Sequence, residues 1–152
     1  MLKFKFNWVL VNEIAISSAP FELPNIYKIK EEGIKSILSL CSEKEVKLAR
    51  GIDKEFICRR LILPDHTYEK KLEINDINQA LIILEELTKK GPVLVHCYAA
   101  IERSPLICMA WLMKKNNLDL ESALSYMSQV NPGTNPLPNQ LKLLNQLNHQ
   151  DI

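Results

Sequence analysis

Cys97 and Arg103 stand six residues apart with His96 and Ser104 beside them, and those residue types in that spacing describe chemistry on a phosphoryl group. A thiolate is the reactive form of cysteine, and a helix N-terminus or a fixed cation lowers the thiol pKa, so Cys97 is expected to ionise near neutral pH and act as a nucleophile. The planar guanidinium of Arg103 presents a fork that matches two oxygens of a phosphate, which the point charge of a lysine does not. The flanking sequence supplies the elements that must hold these groups together. Gly91 and Pro92 signal a turn, and Val93 to Val95 is a short β-branched run of the kind that forms a buried parallel strand. From Ser104 and Pro105 onward, LICMAWLM is apolar on every side, as in a helix enclosed by a core. Strand, tight loop and helix in that order aim backbone N–H groups and a helix N-terminus at one spot, which then binds an anion.

The run His96, Cys97, five residues, Arg103, Ser104 resembles the signature loop of the cysteine-dependent protein phosphatases, and the short chain resembles their dual-specificity branch. The resemblance implies that Cys97 attacks phosphorus to give a thiophosphate intermediate and that Arg103 binds the equatorial oxygens. It implies that Ser104 stabilises the thiolate and helps the intermediate break down, with His96 fixing the cysteine. Tyr98, Ala99, Ala100, Ile101 and Glu102, together with Arg103, would form the substrate-binding cradle. A general acid is implied on an aspartate that follows a strand about thirty residues upstream, and Asp65 in LILPDHTYEK stands there. The implied chemistry uses no metal and no cofactor. The implied fold is a single α/β domain over residues 1–152, with a mostly parallel central sheet of about five strands flanked by helices.

Several residues bear on that resemblance separately. Pro64 stops a strand, and Asp65, His66, Thr67 and Tyr68 fall on polar sequence ahead of a helix that starts near Glu73. A loop there can fold over the site, where a carboxylic acid that protonates the leaving oxygen contributes about 10²–10⁴-fold. The alternative for Asp65 is a turn cap. His66, on an exposed loop, is expected to be solvated. Ala100 replaces the glycine usual at this place in the resembled loop, and a positive φ there would cost about 1–3 kcal/mol. Glu102 would repel a bound dianion unless its side chain turns away and leaves only its backbone N–H facing phosphate.

The remaining elements read as scaffold. Asn7 to Val11 and Ile14 to Ile16 read as two short strands around a turn, and Leu23 to Glu32 as a helix closed by Gly33. Ile34 to Leu40 reads as a buried strand, Cys41 to Arg50 as a charged short helix or loop, and Phe56 to Leu63 as another strand. Ile74, Ile77, Leu81, Leu84 and Leu87 share one face of a helix that returns the chain to the strand ending in Cys97. Asp119 reads as the N-cap of a helix through Met127, and Asn139 as the start of a last amphipathic one. Between them VNPGTNPLPN is a loop, from which the resemblance implies that a polar residue approaches the site; Asn135, Asn139 and Gln140 are candidates. Alternating strands and helices give an α/β sheet, which binds ligands at the C-terminal ends of its strands.

Composition narrows the partners. A formal charge of +1, with acids and bases interspersed, lacks the basic excess of a nucleic-acid surface. No apolar run approaches a membrane span, and MLKFKFNWVLVNEIA is a poor signal peptide, so a cytoplasmic protein is expected. Cys41, Cys58, Cys97 and Cys108 are widely spaced, with no Cys-x-x-Cys pair; all but Cys97 are expected to be small core residues. A rival is that one of them forms a protective disulfide with Cys97 on oxidation. Expected substrates are phosphorylated proteins or small phosphate esters. YAAIE has no lysine, which disfavours phosphoinositides. Two further readings of the loop stay open: a phosphate-binding module without turnover, and a rhodanese-like or arsenate-reductase-like enzyme.

Overall fold

The computed structural model describes residues 3–150, so the outermost two residues at each end of the expected 1–152 domain lie outside it. Five strands form one sheet: β1 (Phe6–Leu10), β2 (Ile14–Ser17), β3 (Ser36–Ser39), β4 (Ile57–Arg60) and β5 (Val93–His96). Their order across the sheet is β1-β2-β5-β3-β4, with β1 antiparallel to β2 and every other pairing parallel. The expected mostly parallel sheet is therefore present. Asn12 makes the β1–β2 turn with φ 64, a conformation that asparagine tolerates better than most residues.

Side chains alternate across a strand, and the two faces separate accordingly. Ala15, Ile37 and Leu94 point to one face and pack with Ile26 and Ile29 of α1 (Leu23–Glu31) and Ile52 of α2 (Ile52–Glu55). Ile14, Ile16, Leu38, Val93 and Val95 point to the other, into the larger cluster built with α3 (Ile74–Thr88), α4 (Arg103–Asn116), α5 (Leu120–Val130) and α6 (Pro138–Gln150). α4 lies at the centre of that cluster: every residue from Arg103 to Met113 is buried, which explains a sequence apolar on all sides.

Helix ends follow their capping chemistry. Glu73 and Asp76 form a capping box on α3, and the Asp119 carboxylate accepts the Ser122 N–H at 2.8 Å to start α5. Strand and helix ends shift by one to three residues from expectation, and two differences go further. The ladder of β4 stops at Arg60, although Leu61 and Leu63 still donate N–H bonds to Ser39 and Leu40. α2 was not expected, because four residues carry too little periodicity to be seen.

β4 is an exposed edge strand, and Cys58 on it is exposed rather than a core residue; Cys41 and Cys108 are buried as expected. Ser17, His96 and Ser39 are the last residues of the three adjacent strands β2, β5 and β3, aligned in register and all buried. That row is the floor from which the Cys97 loop rises.

Candidate active site

The loop after β5 is pinned from outside by its carbonyl groups. The Ala19 N–H donates to the Tyr98 carbonyl at 2.9 Å, Asn131 Nδ2 to the Ala100 carbonyl at 2.9 Å, and the Asn135 N–H to the Ile101 carbonyl at 2.7 Å. In a planar trans peptide the next N–H points opposite to the C=O. The N–H groups of Ala99, Ile101 and Glu102 therefore turn to the inside of the loop. No side chain caps α4, so its first-turn N–H groups join the same donor set at the positive end of the helix. Curling the backbone this tightly puts Ala100 at φ 59, in the left-handed region.

Cys97 is buried at the bottom of this cradle, and its Sγ lies 3.1 Å from Ser104 Oγ, within hydrogen-bond reach. His96 Nδ1 lies 3.0 Å from the Cys97 carbonyl oxygen. A carbonyl only accepts, so Nδ1 carries the proton and Nε2 is a bare acceptor, buried without a partner among the described residues. Burial holds the His96 pKa down to about 4, so the ring is neutral and acts as a fixed strut beneath the cysteine.

The Arg103 donors can be assigned one by one. Nη1 donates to Glu45 Oε1 at 2.9 Å and to the Leu63 carbonyl at 3.2 Å, and Nη2 donates to Glu45 Oε2. Of five N–H groups, the Nε–H and the second Nη2–H remain without a hydrogen-bond partner among the described residues, and these two run parallel along the side edge of the guanidinium. An edge of that shape matches two oxygens of a phosphate. Burial alone would lower the Arg103 pKa, but the hydrogen-bonded Glu45 carboxylate more than offsets this and keeps the group charged.

At the mouth, the Asp65 oxygens divide their work. Oδ1 accepts the Thr67 N–H at 2.8 Å and the Thr67 hydroxyl at 2.6 Å, while Oδ2 lies 3.9 Å from Arg103 Nη2. The aspartate thus caps a turn with one oxygen and faces the site with the other. Burial pushes its pKa up, but the two Thr67 hydrogen bonds and the Arg103 charge outweigh this, and the carboxyl sits below its usual value. Asp65, His66, Cys97, Tyr98, Ala99, Ile101, Glu102 and Arg103 line a cavity of about 190 Å³. A larger hollow of about 550 Å³ beside Arg50 and Arg60 includes neither Cys97 nor Arg103.

The sequence-derived residues thus come together, with Ala100 and Ser104 behind the lining. Glu102 turns its carboxylate away from the cradle, as expected, and His66 is its partner rather than a merely solvated residue. Of the polar candidates from the α5–α6 loop, Asn135 reaches the site through its backbone, while the Gln140 side chain turns back on its own helix start and accepts the Leu137 N–H at 2.9 Å. The side chain that does reach the loop is Asn131, which was not anticipated; it is buried, and its Oδ1 accepts from Asn7 Nδ2 at 3.1 Å. Glu45 was missed as well. Its signal lay in topology, since the segment after β3 must lie beside the loop after β5. Burial pushes the Cys41 thiol up to about 12 and raises that of Cys108, and both feel the charge of a Cys97 thiolate.

A family model described as dual specificity phosphatase, catalytic domain, matches residues 22–150. Tyrosine-protein phosphatase yvh1 of Schizosaccharomyces pombe is 45% identical over 58 residues, which cover 38% of this chain and 18% of that protein. The match therefore spans less than a fifth of that relative. Among solved structures, Tk-PTP in its active form aligns with a TM-score of 0.82 at 20% identity, covering 95% of this chain and 97% of that one. PTPMT1 in complex with PI(5)P aligns at 0.83 with 16% identity, covering 95% of each chain. At these identities the likeness is one of fold.

Proposed function

The chain belongs to the dual specificity phosphatase catalytic-domain family, and from that membership we propose that it hydrolyses phosphate monoesters through a thiophosphate on Cys97. The substrates in this reading are phosphotyrosine, phosphoserine or phosphothreonine in proteins. The observation that carries it is convergence: the Cys97 thiol, the inward N–H groups and the free side edge of Arg103 meet in one cradle, with an Asp65 oxygen at its mouth.

The reaction proceeds by two in-line displacements. The Cys97 thiolate attacks phosphorus, while the loop N–H groups and Arg103 stabilise charge on the equatorial oxygens. Asp65 gives its proton to the leaving oxygen, and water then displaces the thiolate, with Asp65 taking up the proton it lost. Ser104 Oγ stabilises the departing sulfur. In the free protein the Asp65 carboxyl is held low in part by Arg103. A dianion bound on that guanidinium offsets its charge and raises the carboxyl, which favours the protonated acid when substrate is present. Tyr98 and Ile101 give the rim an exposed apolar surface, and Phe21 stacks edge-on with Tyr98 at 6.0 Å, which favours an aryl ester. Residues 1–152 act as one catalytic domain, and four free thiols fit a reducing, cytoplasmic setting.

The test is hydrolysis of 4-nitrophenyl phosphate by wild type, Cys97→Ser and Asp65→Asn from about pH 4.5 to about pH 8. Cys97→Ser should be inactive, and wild-type kcat/KM should be bell-shaped with its optimum on the acidic side of neutrality. A rate that climbs steadily with pH, or that a chelator abolishes, counts against the mechanism. Binding of phosphate or vanadate without turnover would make the domain a reader of phosphate.

A further inference from the structure

Glu102 occupies an awkward place for a carboxylate. It is inside the phosphate-binding loop, directly before Arg103, and its own N–H faces the cradle. A carboxylate free to swing inward would repel the dianion that the loop is built to hold. Instead it is fixed at two points on one residue: Oε2 accepts the His66 backbone N–H at 3.1 Å, and Oε1 lies 2.9 Å from His66 Nδ1. The Glu102 side chain is mostly buried by this contact, at 13% exposure, although His66 itself is 61% exposed.

His66 follows Asp65 directly, so a bond to its backbone N–H fixes the main chain that carries the Asp65 carboxyl. The segment 64–71 has no helix or strand to hold it. Its Asp65–Thr67 and Asp65–Tyr68 hydrogen bonds are internal. Among the described residues, the hydrogen bonds that join it to the rest of the molecule are the two on Glu102. The Asp65–Arg103 approach, at 3.9 Å, is too long to set a position.

We propose that Glu102 is a positioning residue that clasps the Asp65 loop to the phosphate-binding loop through His66 and so sets where the leaving oxygen receives its proton. This rests on Asp65 being the general acid. One residue then joins both halves of the reaction: its N–H faces the phosphate and its carboxylate places the acid. A specificity consequence follows, because the clasp matters in proportion to how badly the leaving group needs a proton. Alkyl and unactivated aryl esters depend on it most.

The experiment compares kcat/KM on phenyl phosphate with kcat/KM on 4-nitrophenyl phosphate, whose leaving group needs little protonation, because kcat/KM reports the first displacement and not the hydrolysis common to both esters. Asp65→Asn should lower the phenyl-to-nitrophenyl ratio by about 10²-fold, and Glu102→Ala should lower it by about tenfold. Glu102→Gln keeps an oxygen for the His66 N–H, and His66→Ala keeps the backbone bond, so each should fall between Glu102→Ala and wild type. In the double variant Glu102→Ala/His66→Ala the effects should be non-additive. Alkylation of Cys97 by iodoacetate, with protection by phosphate, reports whether the loop itself is intact. If Glu102→Ala fails that check, Glu102→Gln and His66→Ala decide. An unchanged ratio in the variants that keep an intact loop overturns the clasp, as does an equal loss on both esters. If Asp65→Asn leaves the ratio unchanged, what falls is the assignment of the acid.

Discussion

Two glutamates hold polar side chains at opposite sides of the same loop, and they differ in what they hold. Glu45 lies inside, paired end-on with an Arg103 that is 3% exposed; Glu102 lies at the rim, paired with a His66 that is 61% exposed. The inner pair fixes a cation whose remaining donors, in the proposed mechanism, point at phosphate before substrate arrives, which is preorganisation in its simplest form. The outer contact ties one loop directly to another at the rim, through a histidine that is itself largely exposed. In the proposed mechanism, binding is therefore built into the interior and proton delivery into the rim.

Replacing Glu45 is the strongest way to break that division. Glu45→Gln removes a charge-assisted bidentate contact and lets the guanidinium turn. The expected result is a 10- to 100-fold loss of affinity for phosphate or vanadate, from about 1.5–3 kcal/mol for hydrogen bonds to charged groups. The phenyl-to-nitrophenyl ratio should stay at the wild-type value. Should that ratio fall as it does in Glu102→Ala, the two glutamates share one task and the separation of binding from proton delivery is wrong.

The two sides also titrate in different windows. His96 inside is held neutral, with a folded pKa of about 4 against an ordinary value of 6.5, so the unfolded chain takes up its proton first. Its contribution to stability is complete above about pH 6.5 and is lost as pH falls toward 4, on the order of 3 kcal/mol in all. Asp65 at the mouth is held below 3.8, so what it contributes is kept through that whole window and is lost only as pH falls through its lower folded value. Denaturant titrations across pH should show the first loss in wild type and not in His96→Asn. An equal slope in both proteins would assign the loss to other groups.

How much of this could be read from the chain depends on how local each contact is. Cys97, Arg103 and Ser104 lie on one short loop and the start of its helix, and Asp65 follows a strand signal, so type and spacing suffice to bring them to one place. Glu45 sits among Glu43, Lys44 and Lys47 in a stretch with no periodicity, and it meets Arg103 across 58 residues of sequence. Only the placement of β3 next to β5 brings it there, and strand order is a non-local property that apolar runs do not encode. Asn131 illustrates a smaller gap. The loop is legible from its prolines and glycine, but the residue that reaches Ala100 is fixed by how α5 ends, with the Asn131 N–H still donating to Met127. His66 looked idle because its partner lies 36 residues away, inside the loop it serves.

Ala100 joins the two sides, and it carries the smallest effect. At φ 59 it pays for the left-handed conformation, about 1–2 kcal/mol for a residue with a Cβ. Ala100→Gly would relieve that strain. It would also remove a methyl that is fully buried, about 0.8 kcal/mol, and loosen the unfolded chain by about 0.4–1 kcal/mol. These terms nearly cancel, so the expected change in stability is within about 1 kcal/mol, with phosphate affinity close to wild type. Were the backbone unstrained, only the losses would remain, and Ala100→Gly would destabilise by about 1.2–1.8 kcal/mol. An unchanged midpoint of denaturation is therefore the sign that strain is present and offset. A clear fall would mean that the Asn131 and Asn135 bonds hold the loop in a shape that costs alanine nothing.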